Sequence, residues 1–152
     1  MKQLKSLVPI FSLAVALSPM MAGAEIPKTA SLYDRLGGQP AIQAVTDDFV
    51  ARILADGRVN RWFAHAAGDP ARAAAYKVKL ASFICVATGG PCKYSGMDMM
   101  AAHKDRGITT EAFNAVVEDL VATLDKLKVP EAEKKQLLGL LAPLKVAVVQ
   151  KQ

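Results

Sequence analysis

The chemistry that this chain could perform centres on His103, one of only two histidines in the sequence. Met99 and Met100 precede it by about one helical turn. A glycine-rich segment, residues 89–96, lies before this group and Gly107 follows it, and such glycines favour turns and helix ends. We therefore predict that His103 lies near the end of a short helix between two turns, which would fix the direction of its imidazole.

Two interpretations of His103 are compatible with its neighbours. A single histidine on a partly apolar turn is most often an ordinary core or surface residue. A histidine beside methionines that faces an apolar pocket made of helices also suits an axial ligand of haem iron. The other histidine, His65, lies among small residues, 64–70, which predict a flexible surface loop.

Apolar residues recur at helical spacing through most of the chain beyond residue 30. This pattern predicts one all-α domain with no strand and no internal repeat, and 152 residues are enough for one such domain. Pro143 should kink the last helix, because proline cannot donate a backbone hydrogen bond. The signals that start the predicted helices lie at Ser31, Pro40, Ala71, Thr109 and Pro130.

Residues 1–24 have the layout of a secretory signal peptide. Lys2 and Lys5 precede an apolar run, residues 7–17, and small residues follow up to Ala24. This layout predicts cleavage after Ala24 and a periplasmic or secreted protein. An uncleaved tail that anchors the chain to a membrane is the alternative, although the apolar run is short for a membrane span.

Cleavage would leave a short linker, residues 25–30, and one domain over residues 31–152. It would also lower the formal net charge from +5 to +3, because Lys2 and Lys5 would be lost. No cluster of basic residues is interleaved with aromatic ones, so nucleic acid is not an expected partner. No later segment has the length and apolar character of a membrane span, so we expect no membrane association after cleavage.

The chain has two cysteines, Cys85 and Cys92. Neither belongs to a CxxC or CxxCH motif, so covalent c-type haem attachment and a zinc site are not indicated. Cys85 lies in the last turn of a predicted helix and Cys92 in the connector beyond it. A chain reversal there could let them form a disulfide in an oxidising compartment. A buried Cys85 with a free Cys92 is the alternative.

Three motifs resemble those of the truncated haemoglobins of group I. They are LYDRLGG at residues 32–38, the spacing GGPxxYxG at residues 89–96, and AHKDRGIT at residues 102–109. The resemblance extends over about residues 31–149, with the motifs in the order of that family. It implies a two-over-two sandwich of helices that encloses one non-covalent haem b.

The same resemblance implies roles for individual residues. His103 matches the proximal ligand, which binds iron through the far ring nitrogen while the near nitrogen bonds to the backbone. Other positions match residues that line the haem pocket of the family: Phe49, Phe63, Tyr76, Lys79, Leu80, Phe83, Met99, Ile108, Phe113 and Val116.

The distal side departs from the family's usual pattern. Val50 stands where many relatives have a tyrosine, and Leu80 stands where they often have a glutamine. Two usual hydrogen-bond donors to bound oxygen are therefore missing. Tyr76 could donate one hydrogen bond if its ring points inward, or it could form only a wall of the pocket.

Lys79 lies three residues after Tyr76 and therefore shares the edge of the helix that would face haem. It could pair with a haem propionate, or it could ligate the iron as a neutral amine. Ligation requires deprotonation of the amine, which costs about 4.6 kcal/mol at neutral pH. The propionate interpretation is therefore favoured.

Four functions are compatible with the sequence. The first is reversible binding of O2 or NO, with CO as a further small ligand, by an exported protein that is a monomer or weak dimer. The second is enzymatic: oxidation of NO, reduction of nitrite or weak peroxidase activity, with an unidentified reductase. The third is electron transfer by a six-coordinate haem with Lys79 as a distal ligand. The last is a haem-free helical interaction protein, which the order of the motifs disfavours.

Overall fold

The computed structural model describes residues 30–150, and its elements there are helices joined by short connections. The all-α prediction is confirmed, whereas the predicted signal peptide, residues 1–24, lies outside the described residues. Within residues 30–150, no helix is both long and apolar enough to cross a membrane. The elements are α1 (Leu32–Leu36), α2 (Gly38–Ala55), α3 (Asn60–Ala67), α4 (Pro70–Ala87), α5 (Met99–His103), α6 (Thr110–Lys126), α7 (Glu131–Leu141), a 3-10 turn (Ala142–Leu144) and α8 (Lys145–Val148).

Helix α2 lies at the centre of the packing and contacts α1, α3, α4 and α6. Helices α2 and α4 form one pair, and α6 with the α7–α8 segment forms the other, which is the expected two-over-two arrangement. The apolar stripe of α2 faces this core, because Ile42, Val45, Phe49 and Ile53 are all buried. Burial of each such side chain stabilises the fold by roughly 1.5–3 kcal/mol.

Local signals set several helix ends where the sequence predicts them. Ser31 caps α1, since its hydroxyl accepts from the amide of Asp34 at 3.1 Å while the Asp34 carboxylate accepts from the Ser31 amide. Gly37 separates α1 from α2 with a φ of 103°, a left-handed conformation that favours glycine. Thr109 caps α6 by accepting from the amide of Ala112 at 3.2 Å.

The predicted loop at residues 64–70 is wrong, because α3 continues through Ala67 and only two residues separate it from α4. Alanine has a high helix propensity, and contacts of α3 with α2 and α4 stabilise a helix that is too short to be stable alone. His65 therefore lies on a helix rather than in a loop. Its side chain is exposed, as predicted, and contacts the guanidinium of Arg72.

Two further expectations about the C-terminal half need refinement. Pro143 does more than kink the last helix: it divides the helix into α7 and α8, with a 3-10 turn between them. Apolar residues at helical spacing from Phe113 to Leu127 predict a buried stripe on α6, but Leu127 lies beyond the end of that helix and is 37% exposed. Two small residues, Ala112 and Ala115, are buried on α6 instead, which lets neighbouring helices approach closely.

A charged cluster at the middle of α2 joins it to α6. The carboxylate of Asp48 accepts from Arg52 at 2.7 Å and from the Thr123 hydroxyl at 3.0 Å, and it pairs with Lys126. The hydrogen bonds from Lys126 and Arg52 lower the pKa of Asp48 to about 2. The carboxylate therefore stays charged across the physiological pH range and holds the two helix layers in register.

Candidate functional site

Helix α5 carries His103 at its last position. The helix begins at an Asp98 cap, whose carboxylate accepts from the amide of Ala101 at 2.9 Å. It ends in a turn in which Asp105 has a φ of 60° and Gly107 a φ of 63°. Aspartate and glycine tolerate this left-handed conformation better than most residues, so the chain reverses directly after the histidine.

The ring of His103 is oriented by its own helix. Its Nδ1 atom lies 2.7 Å from the carbonyl oxygen of Met99. A carbonyl oxygen only accepts hydrogen bonds, so Nδ1 carries a proton, and in the neutral imidazole the lone pair then lies on Nε2. A neutral imidazole in this tautomer is the form that ligates a metal through Nε2. The histidine is half-buried, so part of its side chain remains accessible.

The distal helix α4 presents Tyr76, Leu80 and Phe83 on one face, and all three are half-buried. The Tyr76 ring packs against Phe63 of α3 with 5.7 Å between the ring centroids. Burial raises the pKa of Tyr76 to about 12, so its hydroxyl stays protonated and can donate a hydrogen bond. Among residues 30–150, the Tyr76 hydroxyl forms no hydrogen bond with another side chain or with the backbone.

The residues that distinguish this distal side are apolar in the structure as well. Val50 is fully buried in α2, and Leu80 packs against the core from α4. Neither side chain can donate a hydrogen bond. On this face of α4, the hydrogen-bond donor is therefore the hydroxyl of Tyr76.

Lys79 and its neighbour Lys77 differ in their surroundings. The amine of Lys77 pairs with Asp47 at 2.9 Å. Lys79 is exposed, and no carboxylate among residues 30–150 lies within ion-pair distance of it. Its long side chain is therefore available to an anionic group at the rim of the α4 face.

The connector between α4 and α5 is attached to α4 at two points. A disulfide joins Cys85 to Cys92, and the Tyr94 ring meets Phe83 edge-on with 5.4 Å between centroids. The Tyr94 hydroxyl also donates to the carbonyl of Met97 at 2.9 Å, directly before α5. The sequence pattern did not predict that Tyr94 would attach the connector to α4, although an aromatic residue in the GGPxxYxG spacing was an indication of such packing.

The other residues that were expected to line the pocket fall into two groups, one buried in the core and one half-buried. Phe49 and Ile108 are buried in the core, at 6% and 8% exposure. Phe63, Met99, Phe113 and Val116 are only half-buried, although their side chains are apolar.

These observations fit a haem group. Half-buried apolar and aromatic side chains on α3, α4, α5 and α6 offer the surface that a large planar apolar cofactor would cover. The donor set fits too, since His103 offers Nε2 as a ligand while its Nδ1 bonds to the backbone, and Lys79 offers an exposed basic side chain on α4.

Comparison with known proteins gives the family. The family model described as bacterial-like globin matches residues 31–150. The group 1 truncated hemoglobin GlbN of a Synechocystis species is 40% identical over 106 residues, which cover 67% of this chain and 82% of that protein. The protein of the same name from Mycolicibacterium paratuberculosis is 36% identical over 115 residues, covering 76% of this chain and 81% of that one.

A solved structure agrees with these sequence relatives. Truncated hemoglobin from Tetrahymena pyriformis in the Fe(III) form superposes with a TM-score of 0.72 at 28% identity, covering 80% of this chain and 100% of that one. The chain therefore belongs to the bacterial-like globins, in the group 1 truncated hemoglobin branch. Haem b is its cofactor, and small gaseous molecules such as O2 are its class of ligand.

Proposed function

We propose that the protein is an exported haem b protein that binds O2 or NO reversibly at an iron held by His103. The observation that carries this proposal is the 2.7 Å hydrogen bond between His103 Nδ1 and the Met99 carbonyl. It orients the ring within α5 and favours the tautomer of the neutral imidazole whose Nε2 can ligate iron. When bound, haem supplies the iron site at which a diatomic gas can coordinate.

Tyr76, Val50 and Leu80 on the distal side would control how fast a bound ligand dissociates. The protonated Tyr76 hydroxyl can donate one hydrogen bond to a ligand with partial negative charge, such as O2. Val50 and Leu80 add no donor and keep the surroundings apolar. We therefore expect weaker retention of O2 than in relatives with two or three distal donors, because each hydrogen bond contributes roughly 0.5–1.5 kcal/mol.

Lys79 is assigned to a haem propionate in this proposal rather than to iron. Its side chain is exposed rather than packed into the pocket, which suits a propionate at the pocket edge better than the iron. The enzymatic alternatives draw no specific support from the residues described between positions 30 and 150.

Export is supported by two independent features. One is the signal-peptide pattern of residues 1–24. The other is the Cys85–Cys92 disulfide, since such bonds persist mainly in oxidising compartments outside the cytoplasm. The mature protein would then begin at Glu25 and reside in the periplasm or outside the cell.

The absorption spectrum of the purified protein tests the haem proposal. Ferric, ferrous and ferrous–CO spectra should show a b-type haem with a histidine ligand. His103→Gly should lose haem or retain it only with added imidazole, whereas His65→Gly, which removes the exposed histidine, should behave like the wild type. Normal haem content and an unchanged ferrous spectrum in His103→Gly would refute the assignment of the ligand.

A further inference from the structure

Gln150, the residue that follows α8 and Val149, binds the segment that follows the proximal histidine. Its side-chain Nε2 donates to the carbonyl of His103 at 2.6 Å, and its Oε1 accepts from the amide of Gly107 at 2.9 Å. Its backbone amide donates to the carbonyl of Ile108 at 2.9 Å. One residue therefore makes three hydrogen bonds to the end of α5 and the turn after it.

Helix α5 needs support of this kind. With five residues it is too short to be stable alone, and its last carbonyls have no partner within the helix. The His103 carbonyl also accepts from the Arg106 amide, at 3.2 Å, which is a longer contact than the bond from Gln150. The backbone at His103 is thus tied both to the turn that follows it and to Gln150.

The imidazole follows the position of this backbone. Its Nδ1 is hydrogen-bonded to the Met99 carbonyl of the same helix, so the ring moves with α5 as a unit. On the other side of the turn, the Trp62 indole donates to the Arg106 carbonyl at 2.9 Å. The turn is therefore held between α3 and the C-terminal segment.

The C-terminal segment is itself anchored, so Gln150 can act as a fixed point. Helix α8 packs against α5 and α6, and its Val148 contacts the hydrophobic core. The amide of Val149 closes α8 by donating to the carbonyl of Lys145 at 2.9 Å. Gln150 follows directly after this closed turn.

We propose that Gln150 is a positioning residue for the iron ligand: it fixes α5, and through it the direction and distance of His103 Nε2 relative to the haem plane. The inference rests on the proposed role of His103 and adds a residue 47 positions away in the sequence. It does not require Gln150 to contact haem. The consequence is that Gln150, through α5, sets the strength of the iron–histidine bond.

Two variants of the haem-loaded protein separate the contributions of Gln150. Gln150→Ala removes both side-chain bonds, and we expect haem transfer to excess apo-globin to become roughly tenfold faster. The iron–histidine stretching band in the resonance Raman spectrum of the ferrous protein should shift or broaden. Gln150→Glu keeps the acceptor for Gly107 but loses the donor to His103, so it should shift the same band even when the variant folds normally.

Gln43→Ala is the matched control, because Gln43 is a half-buried glutamine on α2 whose side chain, among residues 30–150, donates to Asp47 alone. It should leave both the haem transfer rate and the Raman band at wild-type values. An unchanged band in both Gln150 variants would overturn the positioning role, even if their stability falls. The proposed function is tested separately by His103→Gly, since a wild-type iron–histidine band in that variant would show that His103 is not the ligand. Failure of the positioning role and failure of the proposed function therefore give different results.

Discussion

The Nδ1 atom of His103 and the carbonyl oxygen of Met99 form a 2.7 Å hydrogen bond within one turn of α5. Because the bond is internal to the helix, the tautomer of the ring is set wherever the helix forms. What the helix cannot set is its own position relative to the rest of the protein. That position comes from the Tyr94 connector on one side and from Gln150 on the other.

Tyr76→Phe should weaken the binding of O2. The substitution keeps the ring that packs against Phe63 but removes the hydroxyl, so the O2 dissociation rate should rise roughly tenfold. CO carries little charge, so its dissociation should change far less. Stopped-flow measurement of both rates checks this, with Tyr33→Phe as the control. Equal O2 dissociation rates in the wild type and Tyr76→Phe would mean that the hydroxyl does not reach the ligand.

The contribution of Tyr76 should also be independent of pH over a wide range. Burial raises its pKa from 10.0 to about 12, so the donor form persists in the folded protein until the pH approaches 12. The O2 dissociation rate of the wild type should therefore stay flat between pH 6 and pH 10.

Lys79→Ala should speed haem loss without changing the spin state of the ferric iron. An exposed ion pair with a propionate contributes up to about 1 kcal/mol, so we expect an increase of no more than about fivefold. Lys77→Ala, which breaks only the pair with Asp47, is the control. Absorption spectra and haem transfer rates give the measurement. A wild type that is low-spin near neutral pH and becomes high-spin in Lys79→Ala would instead establish Lys79 as a ligand.

Cys92→Ser should lower the free energy of unfolding by about 2 kcal/mol, because the Cys85–Cys92 bond closes a short loop. Cys92 is the better site to change, since Cys85 is fully buried and its replacement would also disturb packing. Urea unfolding of both proteins, with and without reductant, measures the difference. The unfolded, unreduced wild type should show no free thiol, and two free thiols there would exclude the bond.

Asp119→Asn should stabilise the protein at neutral pH. One buried carboxylate oxygen of Asp119 finds no hydrogen-bond partner among residues 30–150, and burial together with the charge of Asp56 raises the pKa of Asp119. A carboxyl whose pKa is raised by folding stabilises the fold below its unfolded pKa, and this contribution is lost as the pH rises through its folded pKa.

At pH 7, therefore, the charged Asp119 opposes folding, and the neutral asparagine should raise the free energy of unfolding by roughly 1 kcal/mol. The gain should shrink as the pH falls towards 4. Glu118→Gln is the comparison, because that exposed carboxylate pairs with Arg58 and its loss should not stabilise the protein at either pH. Urea unfolding at the two pH values decides the question, and a gain that is equal at both would argue against the burial of charge as its cause.

Much of this protein is determined by signals that act over a few residues. The Ser31 and Thr109 caps and the left-handed glycine at position 37 follow from local hydrogen bonding and allowed backbone angles, so the sequence predicts the helix ends there. It also predicts a disturbance at Pro143, although only the structure shows that the helix divides there. The motifs at residues 32–38, 89–96 and 102–109 are similarly local, and together they indicate the family that the match over residues 31–150 shows.

Tertiary structure decided the features that depend on residues far apart in the chain. Helix α3 has weak local signals and forms where α2 and α4 support it, so His65 was wrongly expected in a loop. The bonds from Gln150 to His103 and from Trp62 to Arg106 each join positions more than 40 residues apart. No periodicity or cap foretells such pairs, because they form only when packed helices bring the two groups within hydrogen-bond distance.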